Sequence, residues 1–327
     1  MDNNSNNKRT KKIFIGTKSF GRYDQTAGKM LNDENNGIEI VDDINTADGV
    51  IAGTESYDDD ILIGAPYLKA ISRMGVGYDN IDVDYCLDNN ITVTYTPDAP
   101  SGSVAELTVA QILGMIRNTQ NYNTLMSDGK WHKRIGKLIS ELTIGVIGVG
   151  RIGQRVINLL QPFKPKEIYA IDTDHEKLYQ FSKKREIILS QDLKQLLNNS
   201  DVVTVHIPGS PENKHLINDD FLCNMKQGSF LVNTSRGSIL DEGSLMEHAP
   251  KLAGVALDVF DEEPYSGALR YYNNVFMTPH VGSLTLTARI EMETQAVIDC
   301  ISILNGKTPV NPIPEMRMRM VTGSIKS

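Results

Sequence analysis

Several features that would fix the class of this chain at a glance are missing. Its 327 residues hold three cysteines, Cys86, Cys223 and Cys300, which lie far apart and form no metal-type pair. No disulfide framework and no metal site is expected, and sparse thiols suit a reducing compartment. No apolar run approaches the roughly 20 residues of a membrane-spanning helix. The first residues, M-D-N-N-S-N-N-K-R-T-K-K, lack the apolar core of a signal peptide and read as a polar tail. A cytoplasmic protein is therefore expected. Excess basic charge is also missing. The net charge of -8 argues against nucleic-acid binding, so an anionic substrate must be drawn in by local positive groups. There is no internal repeat.

What is present is length enough for two domains, and one stretch that organises the chain: T-I-G-V-I-G-V-G-R-I-G-Q-R, Thr143 to Arg155. Thr143 to Ile147 is apolar and β-branched and predicts a buried strand. Gly148, Gly150 and Gly153 follow in G-x-G-x-x-G spacing. Ile152, Val156, Leu159 and Leu160 then recur at helical spacing. In such a turn the first glycine permits the bend, the second lets a pyrophosphate approach the backbone, and the third lets the helix pack on the strand. The helix N-terminus offers unbonded N–H groups to phosphates. Alone the spacing is weak. Asp172, 19 residues beyond Gly153 at the end of the next strand candidate (Glu167 to Ile171), strengthens it. A dinucleotide fold places an acid there to accept the ribose hydroxyls. The residues after it, Thr173, Asp174 and His175, include no arginine to take a 2′-phosphate. NAD rather than NADP is expected.

Strand candidates at Ile13–Gly16, Gly37–Val41, Gly49–Ala52, Ala70–Arg73 and Thr92–Thr96 alternate with helical patterns at Gln25–Leu31, Asp59–Ile63 and Val83–Leu87. That alternation predicts a parallel α/β unit. The prolines and glycine of Thr96 to Ser103 mark a boundary. A long helix from about Ser103 to Met126 comes next. A second α/β unit runs through strands near Ile168, Val203, Phe230, Gly254 and Val275, and a last helix covers Thr285 to Leu304. The residues after Pro314 read as loosely ordered. The expected architecture is α/β, with two Rossmann-like or flavodoxin-like parallel-sheet domains and a cleft between them. One, residues 1–101 plus 285–327, is discontinuous and binds substrate. The other, residues 102–284, binds the nucleotide.

Three residues stand where strands of the second unit end: Arg236 in N-T-S-R-G, Glu263 in D-V-F-D-E-E-P and His280 in T-P-H-V-G. Ligands of open α/β sheets bind outside the carboxyl ends of the strands. Singly, each has an ordinary structural explanation: a turn salt bridge, a solvated acidic loop, a backbone-bonded turn histidine. Together they suit hydride transfer to or from an alcohol carbon. That reaction needs a base for the hydroxyl proton, which histidine supplies near neutrality. A carboxylate on the far ring nitrogen fixes the tautomer. An arginine fork can grip a substrate carboxylate with two parallel hydrogen bonds.

The sequence resembles the D-isomer-specific 2-hydroxyacid dehydrogenases, and among them the phosphoglycerate-dehydrogenase-like members, from about Lys12 to Leu304. The matching segments are Arg73–Asp82 (R-M-G-V-G-Y-D-N-I-D), Val104–Thr108, Gly145–Gly153, Asp201–Pro208, Met225–Gly237, Ala256–Pro264 and Thr278–Ser283. The resemblance implies that Arg236 binds the substrate carboxylate and polarises the carbonyl. It makes His280 the proton donor and acceptor and Glu263 its partner, chosen over Glu262 because the family's acid directly precedes the proline. Asp258 would hold the nicotinamide carboxamide, and Thr234 would lie near the nicotinamide ribose. Arg151 and Ile152 would lie against the pyrophosphate, with His206 and Pro208 lining the cofactor cleft. His206 could equally be a packed strand-end histidine. Val76 and Gly77 would give N–H groups to the substrate carboxylate, and Arg73 could meet a phosphate.

The chain departs from the family pattern in five places, one of them a compact link from Glu263 to His280. Ser140 and Glu141 stand where glycine and lysine are usual. The segment Glu242 to Leu252 is short. The loop Gly53 to Asp60 (G-T-E-S-Y-D-D-D) is acidic where phosphoglycerate-specific relatives often carry basic residues. The additional C-terminal regulatory domain of many serine-pathway relatives is not seen. Phosphoglycerate, glyoxylate, hydroxypyruvate or another small 2-oxo acid therefore all stay open as substrate. Relatives are usually dimers assembled through the nucleotide domain and the long helix, and a homodimer is expected, although that helix's apolar stripe could equally be internal core. The alternative to an enzyme is a non-catalytic NAD(H)-sensing module, like the corepressors built on this fold.

Overall fold

The computed structural model describes residues 9–322; the polar residues 1–8 and residues 323–327 lie outside that range. The chain divides into two compact units, residues 1–100 with 284–327 and residues 101–283. No described helix is long and apolar enough to cross a membrane.

The first unit is built on five parallel strands: β1 (Lys11–Ile15), β2 (Ile38–Val41), β3 (Gly49–Ala52), β4 (Ala70–Arg73) and β5 (Thr92–Thr94). Their order, β2-β1-β3-β4-β5, is the flavodoxin-like 2-1-3-4-5. Lys11 and Lys12 belong to β1, pairing with Ile38 and Glu39 of β2, and not to a tail. Backbone pairing there outweighs their polar side chains. Helices α1 (Thr26–Leu31), α2 (Asp59–Ile63) and α3 (Val83–Asp88) connect the strands. Strand alternation splits the apolar residues between two faces. Val50, Ala52, Ile71 and Val93 pack with Leu62, Ile81 and Cys86 on one face. Ile13, Ile51 and Ala70 pack with Met292, Ala296, Val297 and Cys300 on the other. The last four come from the helix near the C-terminus, so this sheet is completed by residues from the far end of the chain.

The second unit opens with a helical stretch that the sequence predicts as one helix to Met126. It is two helices, α4 (Ser101–Ile116) and α5 (Thr119–Ser127). Asn118 takes the left-handed conformation (φ 54°) and ends α4, a position asparagine tolerates better than most residues. The α4 stripe Ala105, Val109, Ile112, Met115 and Ile116 is buried in the unit's own core. Seven parallel strands follow: β6 (Thr143–Ile147), β7 (Glu167–Ile171), β8 (Ile188–Leu189), β9 (Val202–Val205), β10 (Phe230–Asn233), β11 (Gly254–Leu257) and β12 (Val275–Met277). Their order, β12-β11-β10-β9-β6-β7-β8, contains the dinucleotide-fold pattern 3-2-1-4-5-6 with one further strand. The helices between them are α6 (Arg151–Leu160), α7 (His175–Ser182), α8 (Leu193–Asn199), α9 (Asp219–Asn224) and α10 (Glu242–His248). The two-residue edge strand β8 lies in an apolar run of only three residues, Ile187 to Leu189, too short to announce a strand, and its side chains are exposed.

Helix α11 (Leu286–Leu304) returns to the first unit. Its buried ion pair, Arg289 Nη2 to Glu293 Oε1 at 2.7 Å, holds the loop after β1. Arg289 donates to the Ser19 carbonyl and hydroxyl, and Glu293 accepts the Gly21 N–H. Residues 314–322, expected to be loosely ordered, form α12 (Pro314–Thr322). Its proline sits at the first helical position, where no N–H is needed. Met316 and the preceding Ile313 are buried in the same cluster as Val93, and that burial orders the segment.

Candidate active site

β6 and β9 are neighbours whose connections leave in opposite directions across the sheet, and the glycine turn sits at that switch point. Gly148 has φ 85°, and a side chain there would lie 2.6 Å from the His206 carbonyl oxygen. A Cβ on Gly153 would lie 2.0 Å from the Gly148 carbonyl oxygen, so only glycine lets α6 start this close to its strand. The side of Gly150 is open: a Cβ there would meet nothing within 4 Å. Arg151 and Ile152 form the first turn of α6; Arg151 is exposed and Ile152 packs on the core. Asp172 accepts the Val149 N–H at 2.6 Å and the Asp174 N–H at 2.9 Å, which fixes its carboxylate beside the turn. Asp174 caps α7 through the Lys177 N–H.

His206 follows β9, and its N–H donates to the Ile147 carbonyl at 2.7 Å. Its ring Nε2 meets Thr204 Oγ1 at 3.0 Å, while Nδ1 is buried without a partner among the described residues. Burial pushes its pKa down to about 3, so the ring is neutral. Pro208 lies exposed in the following loop.

At the far strands the chain brings His280 and Glu263 together. His280 Nδ1 lies 2.7 Å from Glu263 Oε2, and the other oxygen of Glu263 accepts the Phe260 N–H at 3.0 Å. Burial acts to raise the Glu263 carboxyl. The hydrogen bonds from His280 and Phe260, with the charges of His280 and Arg236, outweigh it and hold the carboxyl below its ordinary range. His280 stands at φ 50°, a left-handed conformation that is uncommon for a side-chain-bearing residue and persists where the surroundings impose it.

Asp258 imposes it. The carbonyl of Asp258 accepts the His280 N–H at 2.9 Å. Its carboxylate accepts the Val281 N–H at 2.9 Å, the Gly282 N–H at 2.8 Å and the Thr278 hydroxyl. Gln111 of α4 donates to Thr278 in turn. Asp258 is 1% exposed, so it is a buried clamp on the turn that carries His280.

Arg236 follows β10, in a turn stitched by Asn233. The Asn233 side chain donates to the Arg236 carbonyl at 2.8 Å and accepts the Ser235 N–H at 3.0 Å. The Arg236 guanidinium donates to the Ser235 carbonyl. Gly237 is where this turn crosses the one after β11: a Cβ there would lie 1.9 Å from the Phe260 carbonyl carbon. That close crossing brings the charge of Arg236 within reach of Glu263. Thr234 is buried, its hydroxyl 2.8 Å from that of Thr108.

Arg73, Val76 and Gly77 belong to the first unit. Arg73 ends β4, buried, with its guanidinium on the Met74 carbonyl. Val76 and Gly77 lie in the next turn, half-buried. Neither N–H meets a partner among the described residues.

Sequence reasoning misses the supporting residues Asn233, Thr278 and Gln111. Asn233 and Thr278 flank the singled-out residues in their motifs. Nothing in the sequence marks Gln111, which acts across 167 positions.

Comparison with known proteins agrees with this construction. Residues 109–282 match the family model described as D-isomer specific 2-hydroxyacid dehydrogenase, NAD binding domain. The chain is 35% identical over 266 residues to a glyoxylate reductase of Thermofilum pendens, covering 78% of each chain. It is 33% identical over 292 residues to the D-3-phosphoglycerate dehydrogenase of Methanocaldococcus jannaschii, covering 84% of this chain and 53% of that longer protein. The fold matches a D-lactate dehydrogenase of Aquifex aeolicus, solved with NAD and lactic acid, with a TM-score of 0.80 and 26% identity over 92% of this chain and 98% of that one. With its parallel-sheet units and nucleotide turn, the chain belongs to the D-isomer specific 2-hydroxyacid dehydrogenase family of NAD-dependent oxidoreductases.

Proposed function

We propose that the chain interconverts a small 2-oxo acid and its D-2-hydroxy acid, with His280 as the proton-transfer group. The observation that carries this is the 2.7 Å pair of His280 and Glu263, beside Arg236 on the strand-end edge of a nucleotide-binding sheet. Glu263 receives Nδ1–H, which leaves Nε2 to face substrate. In the reducing direction the imidazolium gives its Nε2 proton to the carbonyl oxygen as that oxygen gains charge. In the oxidising direction neutral Nε2 takes the hydroxyl proton. Arg236 binds the substrate carboxylate and polarises the carbonyl. The Val76 and Gly77 N–H groups are proposed as further carboxylate donors, and Arg73 as a group that could meet a phosphate.

The residues fit a nicotinamide dinucleotide. The open side of Gly150 leaves room for a pyrophosphate at the α6 N-terminus, beside Arg151 and Ile152. Asp172 offers a fixed carboxylate for ribose hydroxyls, and the buried, unpartnered His206 Nδ1 is a polar atom suited to a ligand. Thr234, Pro208 and Asp258 are proposed to line the nicotinamide end. When bound, the nicotinamide supplies or accepts the hydride. The complete Arg236, Glu263 and His280 set supports an enzyme over a sensing module.

Among substrates, an unphosphorylated acid such as glyoxylate or hydroxypyruvate is favoured, because the loop Gly53 to Asp60 is acidic. The test is NADH consumption across glyoxylate, hydroxypyruvate and phosphohydroxypyruvate. Preference for the phosphorylated acid would overturn the substrate reading. A cytoplasmic homodimer is also proposed. The α4 stripe is internal core, so the dimer reading rests on exposed Met126, Trp131, Ile135 and Leu138 after that helix. Light scattering on wild type and Trp131→Glu/Ile135→Glu tests it: a wild-type dimer and a monomeric variant are expected.

A further inference from the structure

Three metal-ligating side chains gather in the second unit outside the site above. Asp219 and Cys223 are four residues apart and so share one face of α9. His248 ends α10. All three donor atoms lie within 4.8 Å of one another. His248 Nε2 is 2.7 Å from Asp219 Oδ1 and 3.8 Å from Cys223 Sγ, and Sγ is 3.9 Å from Asp219 Oδ2. A thiol-imidazole-carboxylate relay would put its two partners on the two different ring nitrogens. Here both partners approach the same nitrogen, Nε2. They converge on a point, as ligands do around an ion.

We propose that Asp219, Cys223 and His248 bind a zinc-class divalent cation, with water completing the coordination. Thiolate sulfur, imidazole nitrogen and carboxylate oxygen together suit a borderline-soft ion, and three protein ligands leave the fourth position open. Bonds of about 2.3 Å to sulfur and about 2.0–2.2 Å to nitrogen and oxygen place tetrahedral donors roughly 3.4–3.6 Å apart. The two sulfur separations are already close to that. The His248–Asp219 separation must open by roughly 0.7 Å as the ion replaces the hydrogen-bonding proton. Asp219 can supply that movement, because its side chain is 69% exposed while that of His248 is 17% exposed. On binding, the thiol loses its proton and the neutral ring carries its hydrogen on Nδ1. Lys251 donates to the Leu222 and Cys223 carbonyls, which fixes the backbone of Cys223. Its charge works against the ion, so the site binds less tightly than a four-ligand structural zinc. A bound ion pins α9 to α10.

The test uses the full chain, free of affinity tags and stripped with a chelator. Cobalt(II) is the probe, followed by zinc(II). The expected result is a thiolate-to-cobalt charge-transfer band that saturates at one ion per chain and disappears when zinc is added. Cys223→Ser should abolish the band, and Asp219→Asn and His248→Gln should weaken binding at least tenfold. Cys86 and Cys300 are buried, so alkylation of the folded chain reads Cys223. Zinc should slow that alkylation at least tenfold in the wild type and not in His248→Gln. Absence of the band overturns the proposal, as does a band or a protection that persists unchanged in the variants.

Discussion

His280 and Glu263 are joined by a 2.7 Å hydrogen bond on the Nδ1 side of the ring, while the backbone of His280 is held left-handed at φ 50°. The side chain is oriented by one acid and the main chain by another, Asp258. This division of labour makes the two acids separable by experiment.

Glu263→Gln keeps the shape but removes the charge that stabilises the imidazolium. Turnover should fall by roughly 10- to 10³-fold, less than on loss of the imidazole itself. The carboxyl is held below its ordinary value of 4.5 in the folded chain. A depressed folded pKa gives stability that is fully present above the unfolded value and is lost as pH falls through the folded one. Urea unfolding of wild type and variant should therefore differ by a constant amount above about pH 5. The difference should shrink at lower pH. A difference that grows on acidification would contradict the assignment.

Asp258→Asn should act differently. Its amide presents an N–H to backbone N–H groups that now meet a carboxylate, in a site with 1% exposure. A loss of about 1–3 kcal/mol is expected for each donor left unsatisfied, together with loss of turnover as the His280 turn relaxes. Unchanged stability with lost activity would instead give Asp258 a purely ligand-contacting role.

His206 carries the clearest pH signature. It is neutral in the folded chain, with its pKa lowered to about 3, and would ordinarily titrate at 6.5. The unfolded chain then binds the extra proton as pH drops, so stability falls progressively below about pH 6.5. His206→Asn should flatten that slope between about pH 6.5 and 4.5. An equal slope in both proteins would show that the ring is not buried.

Asp172→Ala tests the cofactor end. Loss of a carboxylate acceptor for the ribose should weaken NADH about 10- to 100-fold and narrow the preference over NADPH. Fluorescence titration with both cofactors measures it. Undiminished NADH binding would remove Asp172 from the site.

Much of the fold is legible in the chain because parallel strands buried on both faces are short apolar runs. Val202–Val205, Phe230–Asn233 and Gly254–Leu257 announce themselves that way, and turns between them need glycine where backbones cross, as at Gly153 and Gly237. What is not legible depends on long-range packing. Asn118 splits a continuous helical pattern by its own backbone conformation. Residues 314–322 form a helix only because Ile313 and Met316 find a core. Cysteine spacing leaves Cys223 isolated, since its neighbours Asp219 and His248 are of other types and His248 lies 25 positions away. The two hydrogen bonds from the turn after His280 to the Asp258 carboxylate are likewise a matter of tertiary geometry, invisible in A-L-D-V-F.

The most direct test compares wild type and His280→Ala with the best 2-oxo acid, following NADH absorbance for turnover and NADH fluorescence for binding. The account predicts a turnover loss of roughly 10² to 10⁴, or about 3–5 kcal/mol of barrier, with cofactor affinity nearly unchanged. Near-full activity in the variant would contradict it.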